Sequence, residues 1–382
     1  MFVVIGGPAD RRVALFQAAL AGLDLPPARV VGYAALLAGQ IRLDEVVRPG
    51  DVVRIESPGK DGALERLLIA AAGPEPEPGF DHYAPAELDR LPLEPGRILS
   101  SRQWYRGFVA TLGRISDQLA LCPPHCLMNH PADIAAMFDK PACHSRLSAA
   151  GVAVPPALGP VGSHAELIDS MAAAGMARVF IKPAHGSSAS GVVAYQQQGT
   201  RQQATTTVEM IGHDGQTRLY NSRRLRTYRD SSEIARLIDA LCRQRVHVER
   251  WLPKAGIAGH IFDLRVVVIA GNARHAVVRM SRGPITNLHL LNPRGDLAAV
   301  RDLLRPAAWA AAMHTCEAAA ACFPDSLYAG VDLLIARDLR AHAVLEVNAF
   351  GDLLPGVLCA GRDTYAAEIL AMEEILCSTP AR

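Results

Sequence analysis

The strongest constraint on the fold lies in the second half of the chain. Two apolar runs, 262–270 and 273–280, meet at Gly271-Asn272. A Gly-Asn step between β-branched runs predicts a hairpin. Two more apolar runs, 328–336 and 342–348, predict strands that widen this ribbon into an antiparallel sheet. The beginning of the chain has a different rhythm. Short strands are expected at 2–5, 29–32 and 52–56, and helices at 11–21 and 61–72. Such alternation predicts a small parallel sheet, so the chain combines α/β and α+β parts. Gly6-Gly7-Pro8 lacks the full glycine fingerprint of a dinucleotide site.

Between these ends the pattern predicts a Pro/Glu hinge near 73–79 and helices over 100–121, 132–138 and 142–150. A strand, a small-residue loop and a second strand follow over 178–196. A helix over 233–242 leads to a strand ending at Trp251, and helices are expected at 296–322 and 363–376. Residues 196–230 are unusually polar, with arginines at 218, 223, 224, 226 and 229, and fit no element. At 382 residues the chain has room for two or three domains without metal or disulfide staples.

Charge narrows the partners. With 39 basic and 38 acidic residues the net charge is +1, which argues against a nucleic-acid or membrane footprint. The arginines of 218–229 are the one local exception; steep salt dependence would reveal a nucleic acid there. No run of 18 apolar residues is present, and the apolar start is too short for a signal peptide. Eight scattered cysteines fit reduced thiols in the cytoplasm. Cys122, His125 and Cys126 lack the second pair that a zinc site needs.

Only four of the basic residues are lysine: Lys60, Lys140, Lys182 and Lys254. Arginine is a planar fork and lysine a compact point charge, so a lysine kept in an arginine-rich chain is a candidate for a site that needs the ammonium. Lys60 reads as an exposed loop residue. Lys182 ends an apolar strand and precedes a loop of small residues running from Gly186 through Ser187 and Ser188 to Gly191. Small residues let backbone N–H groups approach an anion, and serines add donors. Val192 stands where a P-loop would carry lysine, so this is a phosphate-cradling hairpin of another kind. A second constellation places Asp332, Glu346 and Asn348 inside apolar strands. Glu346 and Asn348 share one strand face, and two carboxylates with an amide suit Mg²⁺. In a third, Arg265 and Arg279 lie in the two hairpin strands and can clamp phosphate or carboxylate oxygens.

In this order, over roughly 125–360, the motifs resemble the ATP-grasp superfamily, in its glutathione-synthetase and ribosomal-protein-glutamate-ligase branch. The chain is also similar to uncharacterised ATP-grasp proteins of bacterial biosynthetic gene clusters. Asp139-Lys140, preceded by Asn129-His130-Pro131, resembles the first ATP lysine, and Ile181-Lys182-Pro183 the second. The loop from Gly186 to Gly191 resembles the one that closes over the phosphates. Glu249-Arg250-Trp251-Leu252 resembles the hinge strand on the adenine and ribose side. The resemblance implies Asp332, Glu346 and Asn348 as ligands for Mg²⁺ (or Mn²⁺), and Arg265 and Arg279 beside the transferred phosphate. It divides the chain into a Rossmann-like domain over 1–125, a lid with linker helices over 126–250, and a metal-binding subdomain over 251–382. The segment after Arg279 departs from the family's glycine-rich pattern.

The implied activity is an ATP-dependent ligase. It would join a carboxylate, free or in a peptide, to an amine or thiol through an acyl phosphate, releasing ADP and phosphate. Two alternatives share the nucleotide site: a kinase with a hydroxyl acceptor, and a regulator that binds ATP without turnover. A homodimer is compatible with each.

Overall fold

A computed structural model describes residues 1–59, 61–92, 94–186, 189–213 and 216–378. Its strands form three sheets, which follow one another along the chain.

The first sheet is parallel, in the order β2-β1-β3-β4: β1 (Phe2–Ile5), β2 (Arg29–Val31), β3 (Val52–Ile55) and β4 (Cys126–Leu127). Its last strand therefore falls just past residue 125. Helices α1 (Arg11–Gly22), α2 (Tyr33–Leu37), α3 (Leu43–Val46), α4 (Gly62–Ala71), α5 (Pro85–Leu88) and α6 (Ser101–Leu119) accompany it. Asp10 caps α1 and Asp61 caps α4 through their carboxylates, which explains why these two helices start where the sequence predicts. The short α2, α3 and α5 lack the length for a visible period and were not expected. Helices α7 (Pro131–Phe138) and α8 (Lys140–Ala149) follow, divided at Asp139, whose side chain accepts from Ala142 N at 3.0 Å. The second helix thus starts at Lys140, two residues before the expected 142.

The second sheet has the order β8-β7-β6-β5-β9. Helix α9 (His164–Ala173) precedes β5 (Arg178–Pro183), β6 (Val193–Gln198), β7 (Arg201–His213) and β8 (Gln216–Tyr228); α10 (Ser231–Cys242) leads into β9 (Val246–Arg250). The polar stretch 196–230 is thus mostly a long antiparallel ribbon, contrary to its expected lack of an element. Its period is broken where Thr206 and Thr207 are both fully buried at a shift in register. This sheet has its own core, with Val179, Ile181, Tyr195, Val208, Ile234 and Leu237 in its centre.

The third sheet, β13-β12-β11-β14-β15, is antiparallel, with β10 attached to β11. Its strands are β10 (Gly256–Ile257), β11 (His260–Ile269), β12 (Asn272–Ser281), β13 (Arg294–Gly295), β14 (Tyr328–Ile335) and β15 (His342–Asn348). The hairpin turn sits one residue earlier than predicted: Ile269 pairs with Asn272, and Ala270 and Gly271 take φ of 48° and 76°. Two successive positive φ values match the twist of the flanking strands. Helix α11 (Leu297–Ala321) is broken at Arg305, φ 61°, by the following Pro306. Helix α12 (Thr364–Ser378) ends the described chain. First and third sheets share one apolar cluster, in which Val3, Ile5 and Val53 join Leu264, Val331 and Val347. Among the described residues no helix is long and apolar enough to cross a membrane.

Candidate active site

Strand pairing brings Lys182 and Glu249 together. On β5 Lys182 lies opposite His247 of β9, and Phe180 opposite Glu249. Lys182 and Glu249 are therefore diagonal neighbours on one face, with Nζ 2.5 Å from Oε1. His247 Nε2 lies 3.5 Å from the other carboxylate oxygen. Burial alone would raise the Glu249 carboxyl, but Lys182 and His247 outweigh it and hold the group near pKa 2. Burial likewise opposes charge on Lys182, yet Glu249 and Glu346 together lift it above the ordinary lysine range. Glu249, expected on the adenine and ribose side, is thus also the counter-ion of Lys182. Trp251 N donates to Arg178 O at 3.1 Å and its ring lies 5.3 Å from that of Phe180; Leu252 follows outside any strand.

Lys140 opens α8 and reaches two other units. Its backbone N donates to Ala184 O at 3.0 Å and its Nζ to Gly186 O at 2.5 Å. The same Nζ lies 2.9 Å from Glu346 Oε1 on β15. The root of the glycine loop is clamped beside it. His185 stacks on Tyr105 with ring centroids 3.9 Å apart, and its Nε2 lies 3.2 Å from Asp139, which also accepts from Arg245 at 2.8 Å. The far root is fixed by two buried threonines. Thr206 Oγ1 donates to Val192 O at 2.7 Å and Thr207 Oγ1 to Ala189 O at 3.1 Å. Gly191 takes φ 74°, and a Cβ there would lie 2.5 Å from Pro183 Cγ, so this corner requires glycine. Ser187 and Ser188 lie outside the described residues, as does Lys60.

The acidic end is a row across the third sheet. Asp263 pairs with Arg279, Arg265 with Asp332, and Asp332 with Glu346. Asp332 accepts from Arg265 Nε on one oxygen and from Arg279 Nη1 on the other, the latter at 3.0 Å. These two arginines outweigh burial and hold the Asp332 carboxyl well below the usual carboxylate range. Arg279 Nε donates to Asp263 Oδ1 at 2.7 Å. The other Asp263 oxygen takes Lys254 Nζ at 2.7 Å and the Thr286 hydroxyl. Burial pulls Lys254 below the ordinary lysine range despite Asp263, with Arg279 and Lys182 adding to the repulsion. Lys254, Thr286, His185, Thr206 and Thr207 were not singled out as site residues. Only Lys254 carried a signal, its rarity as a lysine.

Asp332, Glu346 and Asn348 form a fitting set for a hard cation. All three offer oxygen, the two carboxylates are cross-strand neighbours, and Asn348 Nδ2 donates to Gly330 O at 3.3 Å, leaving its Oδ1 as the donor end. The oxygens of Asp332 keep lone pairs beyond those its arginines use. Among the described residues no three His, Cys, Asp or Glu side chains form a metal-binding group. A cavity of about 20 Å³, the size of one water, lies between Lys140, His144, His247, Val344 and Glu346.

The sequence matches no family model and no curated protein. Solved structures do match it along its length. The D-cycloserine synthetase DcsG aligns over 98% of this chain and 99% of its own, at 15% identity and a TM-score of 0.56. The macrocyclase MdnC of Microcystis aeruginosa MRC, bound with precursor peptide MdnA, aligns over 99% of this chain and 100% of its own, at 13% identity and a TM-score of 0.50. The ATP-grasp ligase PsnB, in complex with a precursor variant, Mg and ADP, aligns over 98% and 97%, at 18% identity and a TM-score of 0.49. The chain has the ATP-grasp fold.

Proposed function

We propose that the protein is an ATP- and Mg²⁺-dependent ligase that activates a carboxylate as an acyl phosphate and couples it to an amine or thiol. The observation that carries this reading is the position of Lys140. Its ammonium touches both the glycine loop, at Gly186 O, and Glu346, while Glu346 also acts on Lys182. Two ammonium groups from separate elements therefore feel one carboxylate, Lys140 in direct contact and Lys182 through its field, beside a loop of small residues. Triphosphate oxygens compete with Glu346 and Glu249 for these two lysines, and the contacts of His185 and Thr206 hold the two ends of the loop beside them. Mg²⁺ (or Mn²⁺), held by Asp332, Glu346 and Asn348, would neutralise charge on the terminal phosphates. Arg265 and Arg279, fixed by Asp332 and Asp263, supply positive charge where the phosphoryl group leaves ADP.

In this reading residues 1–125 are a Rossmann-like unit, 126–250 the lid with its linker helices, and 251–382 the metal-binding part. The acid is a small molecule or a peptide; the peptide option draws on the precursor bound to MdnC. The cytoplasm is the proposed compartment, in keeping with eight free cysteines. The test is product analysis with a pool of candidate acids and amines. ADP and phosphate are expected, and hydroxylamine should trap the acid as a hydroxamate. AMP with pyrophosphate would refute the mechanism, and a stable phosphate ester without hydroxamate would mark a kinase.

A further inference from the structure

The third sheet's acidic row ends in a loop held from outside that sheet. After Asn348 the chain runs through Ala349, Phe350 and Gly351 to Asp352. Arg12, on α1 of the first unit, donates through Nη1 to Asp352 Oδ1 at 2.7 Å and through Nη2 to Phe350 O at 2.6 Å. Arg54, on β3, donates to the other Asp352 oxygen at 2.5 Å. Arg54 is wholly buried, also pairing with Glu56 at 2.6 Å and Glu368 at 2.7 Å, with the rings of Phe16, Tyr328 and Tyr365 around its guanidinium. Five charged side chains in one interior are a poor route to stability, because desolvating them costs about as much as their pairing returns. Such a cluster does fix geometry, since each fork accepts few arrangements.

What it fixes lies next to the site. Between the two clamped positions stands Gly351, whose carbonyl accepts from Arg265 Nη1 at 3.3 Å, and Arg265 binds Asp332 through Nε. Gly351 also packs on Gly330, with a Cβ on either glycine falling 2.4 Å from the other's Cα; Gly330 O in turn holds the Asn348 amide. One unbroken path thus links Arg12 and Arg54 to Asp352, to Gly351, and from there to Arg265, Asp332 and Asn348.

We infer that Arg12 and Arg54 are positioning residues through which the first unit sets the 349–352 loop, and with it the Asp332 and Asn348 donors that hold the divalent cation. The first unit is then a component of the cation site although it supplies no ligand to it. The cation part of this inference rests on the ligase reading; the loop part does not.

The test uses the full chain. Arg12 is the residue to change, since it is partly exposed and spares the buried Arg54. Hydrogen exchange followed by mass spectrometry, on the protein alone, reads the loop. In Arg12→Met, amides of 349–353 should exchange at least tenfold faster while those of 328–335 stay unchanged. Isothermal titration of ATP, with excess Mg²⁺ and with EDTA, reads the site. The gain in affinity that Mg²⁺ confers should fall about tenfold, with affinity in EDTA within twofold of wild type. Arg12→Lys keeps one of the two bonds and should recover part of both effects. Asp352→Asn, which weakens the clamp from the loop side, should reproduce Arg12→Met. Unchanged exchange in 349–353 for both Arg12→Met and Asp352→Asn would overturn the inference, as would a uniform rise across the third sheet. Wild-type protein that binds no ATP would refute the ligase reading, while the exchange measurement would still decide the positioning role.

Discussion

Replacing Lys182 by methionine keeps most of the length of the side chain, short of one atom, and removes its charge. Glu249 is then left buried, with His247 at 3.5 Å as its remaining neighbour. A carboxyl held at about 2 against an ordinary 4.5 corresponds to about 3 kcal/mol of preference for the charged folded form. Breaking a buried pair from one side costs about 3–5 kcal/mol by a separate route, so the two agree on about 3 kcal/mol at pH 7. A depressed carboxyl stabilises the folded state above its unfolded pKa and loses that contribution as pH falls through the folded one. The penalty of Lys182→Met should therefore be full at pH 7 and shrink between about 4.5 and 2. Urea unfolding at several pH values measures it, and Glu249→Gln with the double variant closes the cycle. Most of the loss should return in the double variant. A penalty below about 1 kcal/mol, or an equal penalty with and without Glu249, would refute the assignment of the pair as a buried, coupled unit. The same single variant should weaken Mg–ATP binding at least ~tenfold, about 1.4 kcal/mol. Lys182→Arg should rescue poorly, because a fork does not occupy the ammonium position.

Three further outcomes are expected. Glu346→Gln should abolish metal-dependent turnover while unfolding remains cooperative; full rate in Mg²⁺ would reduce β14 and β15 to scaffold. Lys254→Met should cost about 3 kcal/mol or more, since Asp263 is buried and loses a partner; a thermal melt unchanged from wild type would remove Lys254 from the cluster. Burial holds the His185 imidazole down at about 4 against an ordinary 6.5, so the unfolded chain takes the proton first. Stability should fall as pH drops through that window, and His185→Gln should flatten the slope in pH-dependent unfolding.

Legibility from sequence followed the source of each signal. The strands β11, β12, β14 and β15, of which β14 is buried at every position, carry long apolar runs that show in the sequence together with their carboxylates and arginines. The β7–β8 ribbon hid its period, because Ala204, Thr206 and Thr207 take most of its buried positions, beside Val208 and Leu219, at a bulge. Lys182 and Glu249 were each visible as residues of a nucleotide site, but not as partners. Their meeting depends on the register of β5 against β9, which the 66 residues between Lys182 and Glu249 conceal. Lys254 stands out by its rarity but belongs to no sequence motif, since Asp263 and Thr286 flank it only once β11 is paired.

The same physics explains why cations and carboxylates alternate through the site. Asp332 stands between Arg265 and Arg279, Asp263 between Arg279 and Lys254, and Glu346 and Glu249 beside Lys140 and Lys182. Each charge is held in place by an opposite one, so removing any member leaves a desolvated partner. The pairs differ in what an incoming anion can take over. Asp263 is fully buried and shared by two cations and a hydroxyl, so Arg279 and Lys254 remain bound to the sheet. Glu346 is the most exposed carboxylate of the set, 25% accessible at its side chain, and among the described residues has one ion-pair partner, Lys140. Exchange with a phosphate therefore costs least at Lys140, where the released carboxylate becomes free for a cation. Nucleotide entry and completion of the cation site are then two sides of one substitution. Accordingly, Glu346→Gln should raise metal-free ATP affinity, by about 0.5–1 kcal/mol for a partly exposed pair, as it removes cation binding; isothermal titration in EDTA showing lower affinity in the variant would disprove the exchange.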